Sequence, residues 1–321
     1  LGMLSCTRNA GLERTWECAG ENRSELEKVL RHYEGDERKR DAALFLLERM
    51  SDCYGYADPL IDSLQALRYL SSLPDREYWT DSVRKVWNHV SFYDSPKVYD
   101  AQVMTADYLI NHIDHAFKVW DSRPWAQHYS FEEFCRYVLP YRLADEPLTA
   151  WRENYHLAFA SRVDSIYEGS DIIRKIQAVQ TIFQEDGSGW SELFSSLPHP
   201  SAAFLLEHPV GVCRELCGYV VFLLRSLGIP AVTDQYVASP QTSGAHWWNA
   251  VRDTTGHMVS FWLPESEVGR DKDDGRPKGK VFRLEYGGKV RDVTSEYFGV
   301  NEAAIKVSLD CKGKELDLCV F

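Results

Sequence analysis

The stretch GVCRELCGYVVFLLRSLGIP, residues 211–230, decides the fold predicted for this chain. Its apolar residues recur on one face at helical spacing, at Val212, Leu216, Val220, Leu223 and Leu227. Gly228 and Pro230 end the pattern, because glycine favours the conformation that closes a helix and proline cannot continue one. The stretch therefore predicts a helix with one apolar face that packs against a core.

Two cysteines lie one turn apart in this helix, and their positions distinguish them. Cys213 stands in the first turn, where unpaired backbone N–H groups and the helix dipole favour an anion. We therefore expect a lowered pKa for its thiol, and an oxyanion site at the same N–H groups. Gly211 leaves room for a substrate to approach the backbone. Cys217 is interpreted as a packed core residue.

After Pro230 the helical period gives way to strand-like segments, AVTDQYV, AHWWNAVRD and HMVSFWL. The residues from Asp253 to Gly256 predict a hairpin turn between the last two segments. His246 lies at the start of the middle strand, and a helix packed on the sheet can bring Cys213 over it. A cysteine with a histidine base is the papain-type arrangement for nucleophilic catalysis. A histidine satisfied within the core is the alternative for His246.

Together these residues resemble the transglutaminase-like superfamily. The resemblance rests on Gly-x-Cys at the helix start, the run RSLGIP that begins twelve residues after Cys213, and the His-x-Trp strand of His246 and Trp248. It covers about residues 170–265 and implies a papain-like core, with a helix packed on an antiparallel sheet. It also implies that Cys213 is the nucleophile and His246 the base. The flanking segments resemble transglutaminase-domain lipoproteins of Bacteroides-type bacteria, which carry a helical N-terminal part and a β module after the catalytic domain.

The third member of the site departs from the family pattern. The resemblance implies an aspartate on the strand after the hairpin, but that position falls near Trp262. An indole only donates hydrogen bonds, so it cannot accept one from the imidazole as a carboxylate does. Glu265, Asn249 or a backbone carbonyl are the alternatives for that role.

The predicted fold class is α+β, with a helical N-terminal region, a transglutaminase-like core and a partial β module. The expected divisions are an N-terminal tail at 1–19, a helical domain at 20–169, the transglutaminase-like domain at 170–270 and the start of a β-rich C-terminal module at 280–321.

Composition narrows the class of partner. The chain of 321 residues carries a net charge of −12, which argues against nucleic acid as a ligand. We expect a peptide, protein or glycopeptide substrate and no cofactor. The eight cysteines include no CxxC pair, which argues against a structural zinc site. His112 and His115 form an i, i+3 pair that suits a metal, but a solvated helix face is the expected role.

The first residues, LGMLSC, predict a location. An apolar run and a small residue before Cys6 resemble the end of a lipoprotein signal. No apolar run reaches the roughly 18 residues of a membrane helix. We therefore expect a cell-envelope lipoprotein, periplasmic or surface-exposed, with a lipid anchor at Cys6.

Two functions follow from these residues. The first is a cysteine-dependent amide or peptide hydrolase or acyltransferase, in which Cys213 forms a thioester and His246 moves the proton. The second is a catalytically inactive transglutaminase-like surface protein that binds peptide or glycan. The missing aspartate favours the second, and the Cys213–His246 pattern favours the first.

Overall fold

A computed structural model describes most of the chain, and two groups of predicted elements lie outside the described part. It describes residues 2–56, 95–190, 198–237, 244–272 and 276–298. The helical patterns at 60–71 and 79–89 and the strand-like AIKVSLDC at 304–311 lie outside these ranges.

Helices dominate the described residues up to 190. Their bounds are α1 (Gly2–Ala19), α2 (Arg23–His32), α3 (Glu37–Leu47), α4 (Asp100–Val103), α5 (Ala106–Asp121), α6 (Phe131–Tyr137), α7 (Arg152–Ile166) and α8 (Ile172–Asp186). The interval 1–19, expected as a tail, is thus helical from residue 2. Its second half packs onto the helical region, where the buried Thr15 hydroxyl donates to the Leu47 carbonyl at 2.6 Å.

The helix predicted over 100–121 is broken near its start. Met104 and Thr105 both have extended backbone. The Thr105 side chain accepts from the Tyr108 N–H at 3.2 Å and so caps the longer helix α5. A threonine that caps one helix cannot also continue the helix before it, which explains the division.

The predicted long helix and strands form the second half of the structure. Short helix α9 (Ala202–Glu207) precedes α10 (Cys213–Ser226), and a last helix α11 (Thr294–Phe298) follows the sheet. Strand bounds are β1 (Tyr54–Tyr56), β2 (Lys97–Tyr99), β3 (Gly189–Trp190), β4 (Val210–Gly211), β5 (Ala231–Tyr236), β6 (His246–Arg252), β7 (Met258–Phe261), β8 (Phe282–Glu285) and β9 (Lys289–Asp292). The α+β class and the helix packed on an antiparallel sheet are confirmed.

Five of these strands make one antiparallel sheet in the order β7-β6-β5-β8-β9. The turn between β6 and β7 is the predicted one. Asp253 Oδ1 accepts hydrogen bonds from the Thr255 N–H at 2.9 Å and the His257 N–H at 3.0 Å, and Gly256 supplies the positive φ of 90°.

The sheet crosses the boundary that the sequence placed near residue 280. Strand β8, expected to open a separate module, pairs with β5, and β9 pairs with β8, so that the two strands complete the five-stranded sheet. Arg283 of β8 donates to both carboxylate oxygens of Asp234 in β5, each at 2.8 Å, and both side chains are almost fully buried. This ion pair joins the last hairpin to the domain, so the prediction of a separate module starting at 280 is corrected.

The core is shared between the two halves of the chain. One buried apolar cluster runs from the N-terminal helices through α10 to Tyr286. Side chains from the helical region also satisfy the carbonyls at the C-terminal end of α10. These are Arg152 Nη1 to Arg225 O at 2.9 Å, Arg123 Nε to Leu227 O at 2.9 Å and Trp125 Nε1 to Gly228 O at 2.7 Å.

The histidine pair on α5 does not form a solvated face, contrary to expectation. His112 is buried, and its Nε2 lies 2.7 Å from the Leu139 carbonyl oxygen. Burial and the neighbouring Arg152 hold the pKa of His112 well below its usual range. His115 meets the ring of His156 edge-on at 5.1 Å, and burial lowers its pKa to about 4. Both histidines are part of the packing between helices.

The Asp234–Arg283 pair gives the first prediction. Replacing Asp234 by leucine leaves a buried guanidinium with one of its two carboxylate partners removed, and we expect the free energy of unfolding to fall by about 3–5 kcal/mol. The measurement is urea unfolding followed by circular dichroism. Lys280→Ala, which removes an exposed ion pair at the start of the same hairpin, is the control and is expected to change stability by less than about 1 kcal/mol.

A second variant shows whether the unpaired charge of Arg283 causes the loss of stability in Asp234→Leu. In Asp234→Leu/Arg283→Met both charges are gone, so part of the lost stability should return. A double variant no more stable than Asp234→Leu would contradict this account of the pair.

Candidate active site

Cys213 is the first residue of α10, and steric crowding explains why a glycine, Gly211, stands two positions before it. The thiol residue is buried, with 7% of its surface exposed. A Cβ at Gly211 would lie 2.3 Å from the Cβ of Glu215, so no larger residue fits there without a shift. The Glu215 carboxylate folds back and accepts from the Val212 N–H at 3.0 Å. Glycine at 211 thus lets the first turn of α10 be capped by its own glutamate.

Glu215 was missed by the sequence interpretation. It is buried and pairs with Arg214, whose Nε lies 2.6 Å from Glu215 Oε1. The signal was present, because an acidic residue at the third position of a helix is typical of a capping box. Its importance here is its position two residues from the predicted nucleophile.

The pKa of the Cys213 thiol is raised, not lowered as the helix position predicted. Burial is the main cause. The backbone N–H groups of Trp247 and Arg214 act in the opposite direction, and the Glu215 carboxylate raises the pKa further. The helix N-terminus is therefore outweighed by desolvation and by a nearby negative charge. Cys217 is fully buried with a strongly raised pKa, as a packed core thiol should be.

His246 begins β6 and is surrounded by aromatic rings. It is 5% exposed, and its ring centroid lies 5.9 Å from Tyr236, 6.2 Å from Trp248 and 5.6 Å from Trp262. His246 shares its face of the sheet with Tyr236 and Trp248. Asn249 points from the other face to α10, where its Nδ2 donates to the Cys217 carbonyl at 3.1 Å.

The structure brings the two predicted residues to neighbouring positions. The Cys213 thiol meets the backbone N–H of Trp247, the residue directly after His246. Trp262 lies next to both residues. It belongs to the buried cluster around Cys213, and its ring also meets the His246 imidazole edge-on. Cys213 and His246 thus lie in one region, at the start of β6 and the start of α10.

Trp262, near which the sequence predicted the position of the aspartate, lies beside His246, with ring centroids 5.6 Å apart. The carboxylate proposed as its substitute is elsewhere, because Glu265 Oε2 bonds Arg276 Nη2 at 2.7 Å and the Glu265 side chain is 62% exposed. Asn249 is likewise committed to α10. Neither substitute acts on the imidazole in this structure.

The described residues offer no group of three or more His, Cys, Asp or Glu side chains placed to hold a metal ion. Within the described ranges, no helix combines the length and the apolar character that a membrane crossing requires.

Comparison with known proteins identifies the family of this region. Residues 164–264 match the family model described as the transglutaminase-like superfamily. This segment is a transglutaminase-like domain. No curated protein and no solved structure gave a significant match to the chain. The matched segment contains Cys213, His246 and Trp262, and the sheet to which its strands belong continues into β8 and β9.

The charge of Glu215 gives the second prediction. Glu215→Gln keeps an oxygen that can accept from the Val212 N–H but removes the negative charge near the sulfur. The thiolate is then less disfavoured, so the pKa of Cys213 should fall. The measurement is the rate of iodoacetamide labelling of Cys213 against pH, resolved by peptide mass spectrometry, and its midpoint should move to lower pH.

Glu207→Gln is the matched control, since Glu207 is an exposed residue of α9. Its labelling midpoint should equal that of the unmodified chain. A midpoint in Glu215→Gln that stays in place or rises would show that the carboxylate does not raise the thiol pKa.

Proposed function

We propose that this protein is a cysteine-dependent amide enzyme, with Cys213 as nucleophile and His246 as base. One observation carries the proposal: within a transglutaminase-like domain, a thiol stands at the first residue of a buried helix with backbone N–H groups of Trp247 and Arg214 directed at its sulfur. Donors in that position stabilise a thiolate and also the oxyanion of an attacked carbonyl.

The proposed reaction has two halves. The Cys213 thiol gives its proton to His246, and the sulfur bonds to the carbonyl carbon of an amide. The C–N bond then breaks as His246 returns the proton to the leaving amine, which leaves a thioester on Cys213. In the second half, water gives a proton to His246 and attacks the thioester. The C–S bond then breaks as His246 returns that proton to the sulfur, which releases the acid and the thiol.

The substrate proposed is a peptide, protein or glycopeptide amide. Hydrolysis is the proposed outcome, because water needs no binding site of its own. An amine that replaced water in the second half would give transamidation by the same atoms.

A second candidate function is a catalytically inactive domain that binds peptide or glycan. Two points favour it: burial raises the pKa of Cys213, and Trp262 falls near the position where the resemblance implies an aspartate. In that case the buried thiol would be a core residue, and the aromatic side chains near it would serve packing or binding.

An activated ester separates the two candidates and gives the third prediction. The enzyme should hydrolyse p-nitrophenyl acetate through an acetyl group on Cys213, detected by mass spectrometry. Cys213→Ala should abolish the acetylated peptide, and His246→Ala should lower the turnover number by about 100-fold or more, the usual share of a general base. Cys217→Ala is the control and should keep the activity.

The opposite result would support the binding function. Equal rates for the unmodified chain and Cys213→Ala, with no acetyl group on the cysteine, would contradict the enzyme proposal. An intact circular dichroism spectrum for each variant shows that a loss of rate is not a loss of fold.

We propose further that the protein is a cell-envelope lipoprotein attached through Cys6. The support is the sequence LGMLSC, and the fourth prediction tests it. Expressed from its natural gene in its own host, the protein should incorporate an alkyne-labelled fatty acid and enter the detergent phase, and Cys6→Ser should do neither. Labelling that persists in Cys6→Ser would contradict an anchor at this residue.

A further inference from the structure

The imidazole of His246 is enclosed by three aromatic side chains from three different strands or strand ends. Tyr236 comes from β5, Trp248 from β6 and Trp262 from the end of β7. The Trp248 ring is stacked at 26° to the imidazole, the Tyr236 ring is tilted at 48° and the Trp262 ring stands edge-on at 80°. Rings at three different angles restrict rotation of the imidazole about both of its side-chain bonds.

Two carboxylates in the described part of this region, Glu265 and Asp234, are bound by arginines. Glu265 is paired with Arg276 near the surface. Asp234 is on the same face of the sheet as His246, two residue pairs along β5, but Arg283 binds both of its oxygens. Asp234 also accepts from the Tyr297 hydroxyl at 2.6 Å.

We propose that Tyr236, Trp248 and Trp262 are positioning residues that hold His246 in the orientation that a carboxylate holds in the family pattern. The inference deepens the proposed function and rests on it for its chemical meaning. Packing can do this because a ring clamped between rings keeps few rotamers, and the general base must stay within hydrogen-bond reach of the thiol.

The buried ion pair fixes one wall of this enclosure. The Trp248 indole N–H donates to the Tyr297 hydroxyl at 2.9 Å, and that hydroxyl donates to Asp234. Arg283 in turn holds Asp234 from β8. The stacked ring of Trp248 is therefore set by a chain of hydrogen bonds that ends in a buried charge. The Asp234 carboxylate thus influences the position of His246 indirectly, through Tyr297 and Trp248.

Trp262 forms another wall, and packing alone holds its ring. Its backbone N–H donates to the Ser266 hydroxyl at 2.8 Å, and its carbonyl accepts from the Ser266 N–H at 2.9 Å, so the turn after β7 is tight. The indole nitrogen is buried and has no acceptor among the described residues. The ring is wedged between the Cys213 cluster and the imidazole, so replacing it should affect both groups' geometry.

The fifth prediction compares loss of a ring with its partial restoration. Trp262→Leu and Trp248→Leu should each lower the turnover number for p-nitrophenyl acetate by about 100-fold with little change in KM, the scale of a small misplacement of a catalytic group. Trp262→Phe keeps a ring and should recover most of the rate. Tyr297→Phe should cause a smaller loss, because Trp248 loses its hydrogen-bond acceptor.

Two controls separate positioning from general damage. Trp120→Leu removes a buried indole from the core of the helical region and should leave the turnover number unchanged. Alkylation of Cys213 by iodoacetamide, at a pH where the thiol is fully ionised, needs neither base nor oxyanion site. Its rate should therefore be unchanged, within about twofold, in Trp248→Leu and Tyr297→Phe, whose rings lie outside the cluster around Cys213.

An NMR measurement tests whether the three rings restrict the His246 imidazole, independently of activity. With ¹³C-labelled histidine, the His246 ring resonance, assigned from its loss in His246→Ala, should be a single line shifted by the ring currents of its neighbours. In Trp262→Leu and Trp248→Leu it should move toward the value of a mobile histidine. An unshifted His246 line in the unmodified chain would overturn the proposal. Leucine variants that kept the shift and the turnover number of the unmodified chain would overturn it as well.

The two proposals fail in different ways. A shifted His246 line that moves in the leucine variants, without acetylation of Cys213, would support the enclosure and remove the proposed reaction. Acetylation that depends on Cys213, with unchanged turnover numbers in Trp248→Leu and Trp262→Leu, would support the reaction and remove the enclosure.

Discussion

The buried C-terminal end of α10 is the constraint on which the site depends. A helix end leaves carbonyl groups without partners, and burying them unpaired is costly. The helical region supplies the partners from Arg123, Trp125 and Arg152. Arg152 is itself so deeply buried that its pKa falls to about 9. Because this end of α10 is fixed, the other end, with Cys213, is fixed on the sheet, and the N-terminal helices are therefore structural partners of the transglutaminase-like domain.

The sequence predicted the elements whose signals are local. The apolar spacing and Gly228 predicted α10, and Asp253 to Gly256 predicted the hairpin turn, since each signal lies within a few residues of the feature it causes. The pairing of β8 with β5 has no such signal. Asp234 and Arg283 are 49 positions apart, and an exposed ion pair and a buried one look the same in sequence. A polar linker between the segments therefore suggested a domain boundary where the sheet is continuous.

The same limit applies to the site. The sequence singled out Cys213, His246 and the position near Trp262, because family spacing and strand alternation are local signals, and these residues lie in one region of the structure. It predicted the wrong direction for the Cys213 pKa, because the helix dipole is visible in sequence and desolvation is not. Burial of that thiol depends on residues that come from three separate segments, including Trp247 and Trp262. The contribution of Tyr297 depends on a helix after the last strand and had no signal at all.

The surroundings of the two groups have a consequence for the proposed reaction. Burial and Glu215 both disfavour a resting thiolate, and three aromatic rings lie around the imidazole. An ion pair of thiolate and imidazolium is therefore poorly stabilised before a substrate arrives. Attack by the sulfur and loss of its proton must then be closely coupled, with the N–H groups of Trp247 and Arg214 available to the charge as it moves to the carbonyl oxygen. In this site the histidine must be held accurately, because it cannot rely on a preformed charge to draw it to the sulfur.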